Sequence, residues 1–453
     1  MKKITINELG RAVARSGLLP TSAQYFIEYL RAHSAALKRL MPKTRIAKNG
    51  MPEELPKDFD DLDATYILIH LCFTSPEFGG GGAAARRRIP YQLGEKRESS
   101  RAMRLDSFLA VRPWDRDVLA VNAADLTIDW ICGTPLIELE RSFERLRAGV
   151  LRDMYRTLVG HLTGFADVLA GMIVASDSGE LSADFAWVSK ERGLLFRTVR
   201  RSRQISRSVV RGVPEDLLWL ADLGDANNRP LCRRPEIIAF QKRNLRTLEE
   251  VVDPGRKTEL IEALKESGSD PERWKAIRTG AIKYRSARTN RRKASQARRL
   301  GKECDDTVSD FYTKRGVPFE EVLEYCFKVL KIRVVGRDDA SKKGKSFPDF
   351  VLELNGQNVV VECKSAEGSD DISLGDVADV FKKAGVNGLD AEPLVTVCQA
   401  YVATDVPRKI ETSGRLTVVN AEDLAEALAR FTSQEIGSRT IFQLDYNAWA
   451  SSL

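Results

Sequence analysis

The sequence predicts a multidomain protein with an all-α N-terminal two-thirds, followed by a C-terminal α/β domain with a mixed sheet. The chain has 453 residues, which is too many for a single hydrophobic core. Apolar residues recur at helical spacing through most of the first 265 residues. After Cys304 the pattern changes to one helical segment followed by alternating apolar and polar runs, which are typical of strands.

The chain divides into four predicted segments. Residues 1–105 form a helical domain, and residues 106–268 form a second one that contains a long apolar helix from Val150 to Val174. Residues 269–304 form a basic connector, because they are rich in lysine and arginine and follow a predicted linker sequence. Residues 305–453 form the α/β domain, in which helices are expected on the faces of the sheet.

The composition indicates a soluble protein without a zinc site. Hydrophobic residues make up 43% and charged residues 30% of the chain, and no run of about 18 apolar residues occurs. The seven cysteines form no C-x-x-C pair, and the three histidines are isolated from them. We therefore expect reduced thiols and a cytoplasmic location.

Basic residues are concentrated in two stretches. Arg273 to Lys302 contains twelve lysines and arginines with no acid, and Arg197 to Arg211 contains six arginines with no acid. Such density favours binding to a polyanion, although a solvated helix face, or one packed on acidic residues, is the alternative. The candidate nucleic-acid-binding residues are Arg285, Arg288, Arg291, Arg292 and Lys293 in the first stretch, Arg201 in the second, and Arg152 on the long helix.

The sharpest motif is Pro348-Asp349, followed after twelve residues by Glu362-Cys363-Lys364. Asn355-Gly356 lies between the two runs and predicts a type I′ hairpin turn. With that turn Leu354 pairs with Gln357, and Asp349 lies opposite Glu362, at a distance that allows two carboxylates to share one divalent cation. Lys364 points to the same face as Glu362, whereas Cys363 points into the core.

This set of residues predicts metal-dependent hydrolysis. Adjacent carboxylates suit Mg²⁺, for which Mn²⁺ can substitute. Lys364 would orient or help deprotonate the attacking water and would stabilise charge on the phosphate. A third carboxylate is expected on the preceding helix, from about Pro318 to Leu330. Glu320 and Glu324 flank the apolar face of that helix and Glu321 points more to solvent, so the choice among them stays open.

Together, Gly316 to Glu320, Pro348-Asp349 and Glu362 to Lys364 resemble the PD-(D/E)XK, or restriction-endonuclease-like, nucleases. The likeness is strongest to the branch of type IV restriction enzymes and Holliday-junction resolvases. It implies that Glu320 is the helix carboxylate, that Asp349, Glu362 and Glu320 bind the metal, and that these three and Lys364 are catalytic.

The helical two-thirds resemble the C-terminal half of superfamily 2 helicases of the superkiller and archaeal-repair type. Leu9 to Pro20 is similar to the end of their winged helix, and Asp125 to Ile131 comes next in the likeness. Gly149 to Arg152 opens a long helix similar to their ratchet helix, and Arg211 to Leu218 leads into a segment that resembles their helix-hairpin-helix module. The sequence lacks a Walker A motif, so we expect no ATPase activity from this chain. Leu223 to Arg229 lacks the G-x-G turn of that module.

The combined prediction is a nuclease that acts on DNA in phage defence, restriction or DNA repair, with a separate helicase as a possible partner. The alternative is a non-catalytic adaptor that binds DNA and a partner ATPase. The motifs leave open DNA or RNA, single or double strands, endonuclease or exonuclease action, and the oligomeric state.

Overall fold

The computed structural model describes residues 8–41, 60–79, 88–94, 99–105, 118–225, 227, 229–300, 305–338, 346–354, 356–365, 372–399 and 416–432. The chain folds as two compact units. The first contains the described parts of Met1–Arg45, Glu54–Arg246 and Glu262–Arg273, and the second contains those of Thr247–Ile261 and Trp274–Leu453. The first unit thus joins most of both predicted helical domains, and the predicted connector falls largely in the second unit.

Helices make up the first unit. In chain order they are α1 (Glu8–Ser16), α2 (Pro20–Leu40), α3 (Asp61–Phe73), α4 (Pro76–Gly79), α5 (Ser100–Leu105), α6 (Val118–Cys132), α7 (Leu136–Ser142), α8 (Ala148–Asp177), α9 (Ala186–Lys190), α10 (Arg192–Arg211), α11 (Leu218–Ala221) and α12 (Arg234–Lys242).

The core of this unit is built around α8, which packs against α1 and α10. Glycine permits the approach of α1, because a Cβ atom on Gly171 would lie 2.2 Å from that of Ala12. By length and composition α8 could span a membrane, but much of its surface is buried within the unit, as in the core helix of a soluble protein. It corresponds to the long helix predicted from Val150 to Val174, extended at both ends.

Further along the chain lie α13 (Leu248–Val252), α14 (Lys257–Glu266), α15 (Trp274–Leu300), α16 (Asp305–Thr313), α17 (Val317–Val329), β1 (Arg333–Arg337), β2 (Phe350–Leu354), β3 (Gln357–Lys364), α18 (Leu374–Val386), β4 (Leu394–Cys398), β5 (Leu416–Asn420) and α19 (Ala421–Thr432). The strands follow one another in the sheet in the order β1-β2-β3-β4-β5. Pairing is antiparallel from β1 to β3 and parallel from β3 to β5, so the predicted mixed sheet is confirmed.

Alternation along β3 sends its side chains to two separate cores. Val359 and Val361 pack with α17 and α19 on one face of the sheet, and Cys363 lies partly buried beside them. Val360 packs with Val377 and the rest of the buried face of α18 on the other. Helices therefore cover both faces, as predicted for an α/β domain.

All five strand predictions differ from the structure at one end or both, and those at Val359–Lys364 and Leu416–Val419 are too short by two residues and one residue. The first strand, predicted at Ile332–Val335, lies at Arg333–Arg337 and has an irregular register between Val334 and Gly336. The strand predicted at Leu394–Ala403 ends at Cys398, and the predicted residues beyond Gln399 lie outside the described part of the chain. Asp349 precedes β2, whereas the sequence pattern predicts that it begins that strand.

Candidate active site

The β2–β3 hairpin has the predicted register. Leu354 pairs with Gln357, and Phe350 pairs with Val361. The ladder ends at that pair, and the next residue of each chain segment is Asp349 or Glu362, which the sequence predicts to lie opposite each other. Gly356 has a φ of +80°, which suits glycine in a tight turn, whereas Asn355 lies outside the described residues, so the turn type remains a prediction.

The Asp349 carboxylate is fixed by the neighbouring strand. Its Oδ2 atom accepts a hydrogen bond of 2.6 Å from the backbone N–H of Cys363. The residue is only 8% exposed, so water competes weakly for this bond. Asp349 is thereby tied to the residue that separates Glu362 from Lys364.

The Glu362 carboxylate is more deeply buried, at 1% exposure. Its Oε1 atom lies 2.6 Å from Nζ of Lys383 and 3.0 Å from Nζ of Lys364. Its Oε2 atom, also buried, has no hydrogen-bond partner among the residues that the structure describes. Burial, followed by the charge of Asp349, raises the pKa of Glu362 above its ordinary value.

Lys364 lies between two carboxylates. Its Nζ atom is 3.0 Å from Oδ2 of Asp379 as well as 3.0 Å from Glu362. Burial alone would lower the pKa of Lys364, but the hydrogen bond to Asp379 and the charge of Glu362 outweigh it, and the net shift is upward. In the metal-free site both carboxylates therefore favour the ammonium form of Lys364, which is suited to orienting a water or a phosphate.

Sequence reasoning missed Asp379 and Lys383, which lie one turn apart on α18. Ser373 caps this helix through the backbone N–H of Asp376, and Val377 and Val380 are buried on the sheet. The signal that could have found them is an acidic and a basic residue four positions apart, Asp379 and Lys383, beside the buried face of this helix. The predicted helix near Leu374–Ala384 was confirmed, but its polar flank was not assigned to the site.

The helix carboxylates left open by the sequence have different surroundings. Glu320 is half-buried, and its pKa is raised by burial, with Asp349 as the largest charge contribution and Glu362 as a smaller one. Glu324 pairs with Arg337 of β1, and Glu321 is exposed. Electrostatic coupling to Asp349 and Glu362 therefore favours Glu320 as the third carboxylate.

A divalent cation fits the donors, although the site is not preformed. Within the described residues, no group of three or more histidine, cysteine, aspartate or glutamate side chains is arranged to hold a metal. The unpartnered Oε2 of Glu362 nevertheless offers a hard oxygen beside Asp349, and oxygen is the ligand that Mg²⁺ prefers. Metal binding by Asp349, Glu362 and Glu320 therefore remains a prediction.

The basic helix α15 has one face that packs within the second unit. Arg292 pairs with Glu422 and Asp423 of α19, and Nζ of Lys293 lies 3.0 Å from Oγ of Ser309. Arg285 is 8% exposed. The surroundings of these three residues therefore match the alternative reading, in which this basic face packs within the protein.

The opposite side of α15 is open to solvent. Arg288 and Arg291 are exposed, as is Arg298, which sequence reasoning did not select. The helical spacing of 288, 291 and 298 places them on one side of the helix. Nε of Arg298 donates to the Ala294 carbonyl of the same helix at 3.2 Å, which leaves its other nitrogens available to solvent. We call these three residues the arginine stripe.

The two candidates in the first unit also differ. Arg201 lies 3.1 Å from Glu215 and donates a hydrogen bond of 2.7 Å to Thr65, so its guanidinium is held inside the helical unit. The Arg152 side chain is 74% exposed, and its Nε atom lies 3.8 Å from Oδ1 of the neighbouring Asp153. Arg152 is therefore the better placed of the two to contact a ligand.

A scan against protein-family models, a search of the curated proteins and a search of the solved structures found no match to this chain. The two resemblances drawn from the sequence are thus neither supported nor contradicted by relatives. What the chain does must be inferred from its own residues.

Proposed function

We propose that the second unit is a Mg²⁺-dependent nuclease of the PD-(D/E)XK kind that hydrolyses phosphodiester bonds, with DNA as the favoured substrate. The observation that carries this proposal is the unpartnered, buried Oε2 of Glu362. It lies in a cluster with the Asp349 carboxylate and the Lys364 ammonium, the residue types that the reaction requires.

Each residue of this cluster has a defined role in the proposed reaction. Asp349, Glu362 and Glu320 would hold the ion, which when bound supplies positive charge at the phosphate and a more acidic water. The N–H of Cys363 fixes the orientation of Asp349. Lys364 orients the water and stabilises the additional negative charge on the attacked phosphate, a task suited to a group that stays protonated.

The arginine stripe and Arg152 are the proposed phosphate contacts. Phosphate binding by arginine positions a duplex or single strand without reading its sequence. By the resemblance of the first unit to helicase segments, we further propose that it grips nucleic acid beside a separate helicase, in cytoplasmic defence or repair. Because the chain lacks a phosphate-binding loop, any ATP dependence would come from that partner.

A non-catalytic adaptor is the second candidate, and one observation favours it. Lys383 already lies 2.6 Å from Glu362 and 3.6 Å from Asp349, as in a structural ion-pair network that needs no metal. An adaptor of this kind would bind DNA and a partner ATPase without cleaving DNA.

Cleavage assays separate the two candidates. The purified chain is incubated with Mg²⁺ or Mn²⁺ and with labelled linear, circular, single-stranded and double-stranded substrates, and Asp349→Ala serves as the control for contaminating nucleases. Metal-dependent cleavage by the wild-type chain that the variant lacks supports the nuclease. Binding without cleavage of any substrate, in either metal, supports the adaptor.

A further inference from the structure

Lys383 lies where a shared cation would bind. Its Nζ atom is 2.6 Å from Oε1 of Glu362 and 3.6 Å from Oδ1 of Asp349. The side chains of these two acids are only 2% and 10% exposed. Two carboxylates this buried repel each other unless a positive charge lies nearby. Among the residues that the structure describes, Lys383 pairs with both acids, and Lys364 pairs with Glu362.

We propose that Lys383 is a displaceable counter-ion, which neutralises Asp349 and Glu362 until a divalent cation binds between them and then withdraws. This inference rests on the proposed function, because it assumes that the two carboxylates bind metal. In this role Lys383 sets the metal affinity and stabilises the metal-free site, but it takes no part in the chemical reaction.

The surroundings of Lys383 permit this movement. The backbone of α18 is fixed on the sheet by the buried Val377 and Val380, and Oγ1 of Thr396 donates to the Val377 carbonyl at 3.0 Å. A lysine ammonium, by contrast, is a point charge on a flexible four-carbon stem. The tip can therefore move while the helix stays in place.

An acceptor for the displaced ammonium lies one turn away. Asp379 is on the same flank of α18, four residues before Lys383, and its side chain is 37% exposed. It already interacts with the charges of Lys364 and Lys383, and the hydrogen bond from Lys364 is the main reason that its pKa is lowered. If the Lys383 ammonium moved toward Asp379 and solvent, it would keep a carboxylate neighbour. Metal binding would then not leave the ammonium buried without a partner.

Competition between the ammonium and the metal makes a measurable prediction. With Lys383 removed, only Lys364, beside Glu362, still offsets the charge of the two carboxylates. The metal then no longer competes with the Lys383 ammonium and should bind more tightly, by about tenfold or more if the coupling has the usual magnitude between linked ligands. The metal-free protein should lose thermal stability, and saturating metal should restore it.

The test is calorimetric titration of the full chain with Mn²⁺ alone, comparing Lys383→Met with wild type. Lys382→Met is the matched control, because it removes the same charge from an exposed position one residue away. The expected result is tighter Mn²⁺ binding in Lys383→Met only, together with a lower Tm that Mn²⁺ restores. Lys383→Arg gives the opposite test, since its forked guanidinium should hold both carboxylates and weaken Mn²⁺ binding.

The inference is overturned if Lys383→Met binds Mn²⁺ no more tightly than Lys382→Met, or if neither the wild type nor any variant binds Mn²⁺. If Lys383→Met does not fold, weaker Mn²⁺ binding by Lys383→Arg supports the counter-ion, and unchanged or tighter binding by that variant overturns it. Failure of the nuclease proposal is recognised separately. If the Mn²⁺ affinities of the wild type and the variants differ as expected but the wild type cleaves no substrate, the counter-ion proposal is supported and the nuclease proposal is rejected.

Discussion

The carboxylate of Asp349 accepts a hydrogen bond of 2.6 Å from the backbone N–H of Cys363, the residue between Glu362 and Lys364. This bond joins the two halves of the motif directly, because it fixes Asp349 to the strand that carries the other polar groups. The position of Asp349 relative to Glu362 is therefore set by backbone geometry, and a cation held by one would meet the other.

Replacement of the central polar residues should abolish cleavage without unfolding the domain. We expect Asp349→Ala and Lys364→Ala each to lower the cleavage rate by about 10² or more, because each would remove a proposed metal ligand or a proposed charge at the attacked phosphate. Single-turnover cleavage of the best substrate measures the loss, and circular dichroism checks the fold. Glu353→Ala, which changes an acid at the other end of β2, is the control. Wild-type rates in either site variant would contradict the assignment.

The surroundings of α17 predict that Glu320, and neither of its neighbours, supports metal binding. Glu320→Gln should weaken Mn²⁺ binding in calorimetry, because Glu320 is coupled to Asp349 and Glu362. Glu324→Gln should leave Mn²⁺ affinity unchanged, since Glu324 pairs with Arg337. Glu321→Gln, at an exposed position, is the matched control. Equal losses in Glu320→Gln and Glu324→Gln would show that the helix carboxylate acts only through overall charge.

The central hairpin could be predicted from the sequence because its determinants are local. Once Asn355-Gly356 fixes the turn, the two-residue period of strands fixes which side chains of β2 and β3 lie opposite each other. The buried face of α17 was likewise readable from helical spacing, and Phe319, Leu323 and Phe327 are all buried.

Long-range ion pairs could not be predicted in the same way. Arg292 meets Glu422 and Asp423, which are about 130 residues away in the sequence, and nothing in the charge pattern of α15 distinguishes Arg292 from Arg291. The position of Lys383 beside Glu362 depends on how α18 packs on the sheet. Periodicity predicts that helix but does not specify which of its flanks faces the carboxylates.

In the first unit, Asp125 of α6 should make stability depend on pH. Burial raises the pKa of Asp125 to about 6, although Oγ of Ser99 donates a hydrogen bond of 3.0 Å to its carboxylate. Because the folded state holds this proton more strongly, the stabilising contribution is complete below about pH 4 and is lost as the pH rises through about 6. Asp125→Asn should remove this decline and raise stability at pH 7 by at most about 3 kcal/mol, which corresponds to a shift of about two pKa units.

Urea unfolding between pH 4 and 7 measures the effect, with Asp153→Asn as a control because the side chain of Asp153 is 68% exposed. The comparison concerns the difference between variants at each pH, which cancels the titration of the other groups. If the free energy of unfolding of Asp125→Asn changes with pH in parallel with that of the wild type, the Asp125 carboxyl has the same pKa in the folded and unfolded states, and the prediction is wrong.

The last prediction concerns α15, whose two faces should respond differently to the same change of charge. Reversing the arginine stripe to glutamate should weaken binding to every nucleic-acid sequence by a similar factor, because phosphate contacts position the ligand without specifying bases. The dependence of log affinity on log salt should flatten by about 0.7 to 0.9 for each phosphate that the variant no longer neutralises. Fluorescence anisotropy across a salt series measures both quantities.

Reversal of Arg292 to glutamate tests the packed face, and there we expect loss of stability, because it places like charges against Glu422 and Asp423. Reversal of three exposed basic residues on other helices, at Arg31, Lys190 and Lys328, matches the arginine-stripe variant in net charge. If this control weakens binding and flattens the salt dependence as much as the arginine-stripe variant does, binding follows overall charge. The specific role of α15 would then be rejected.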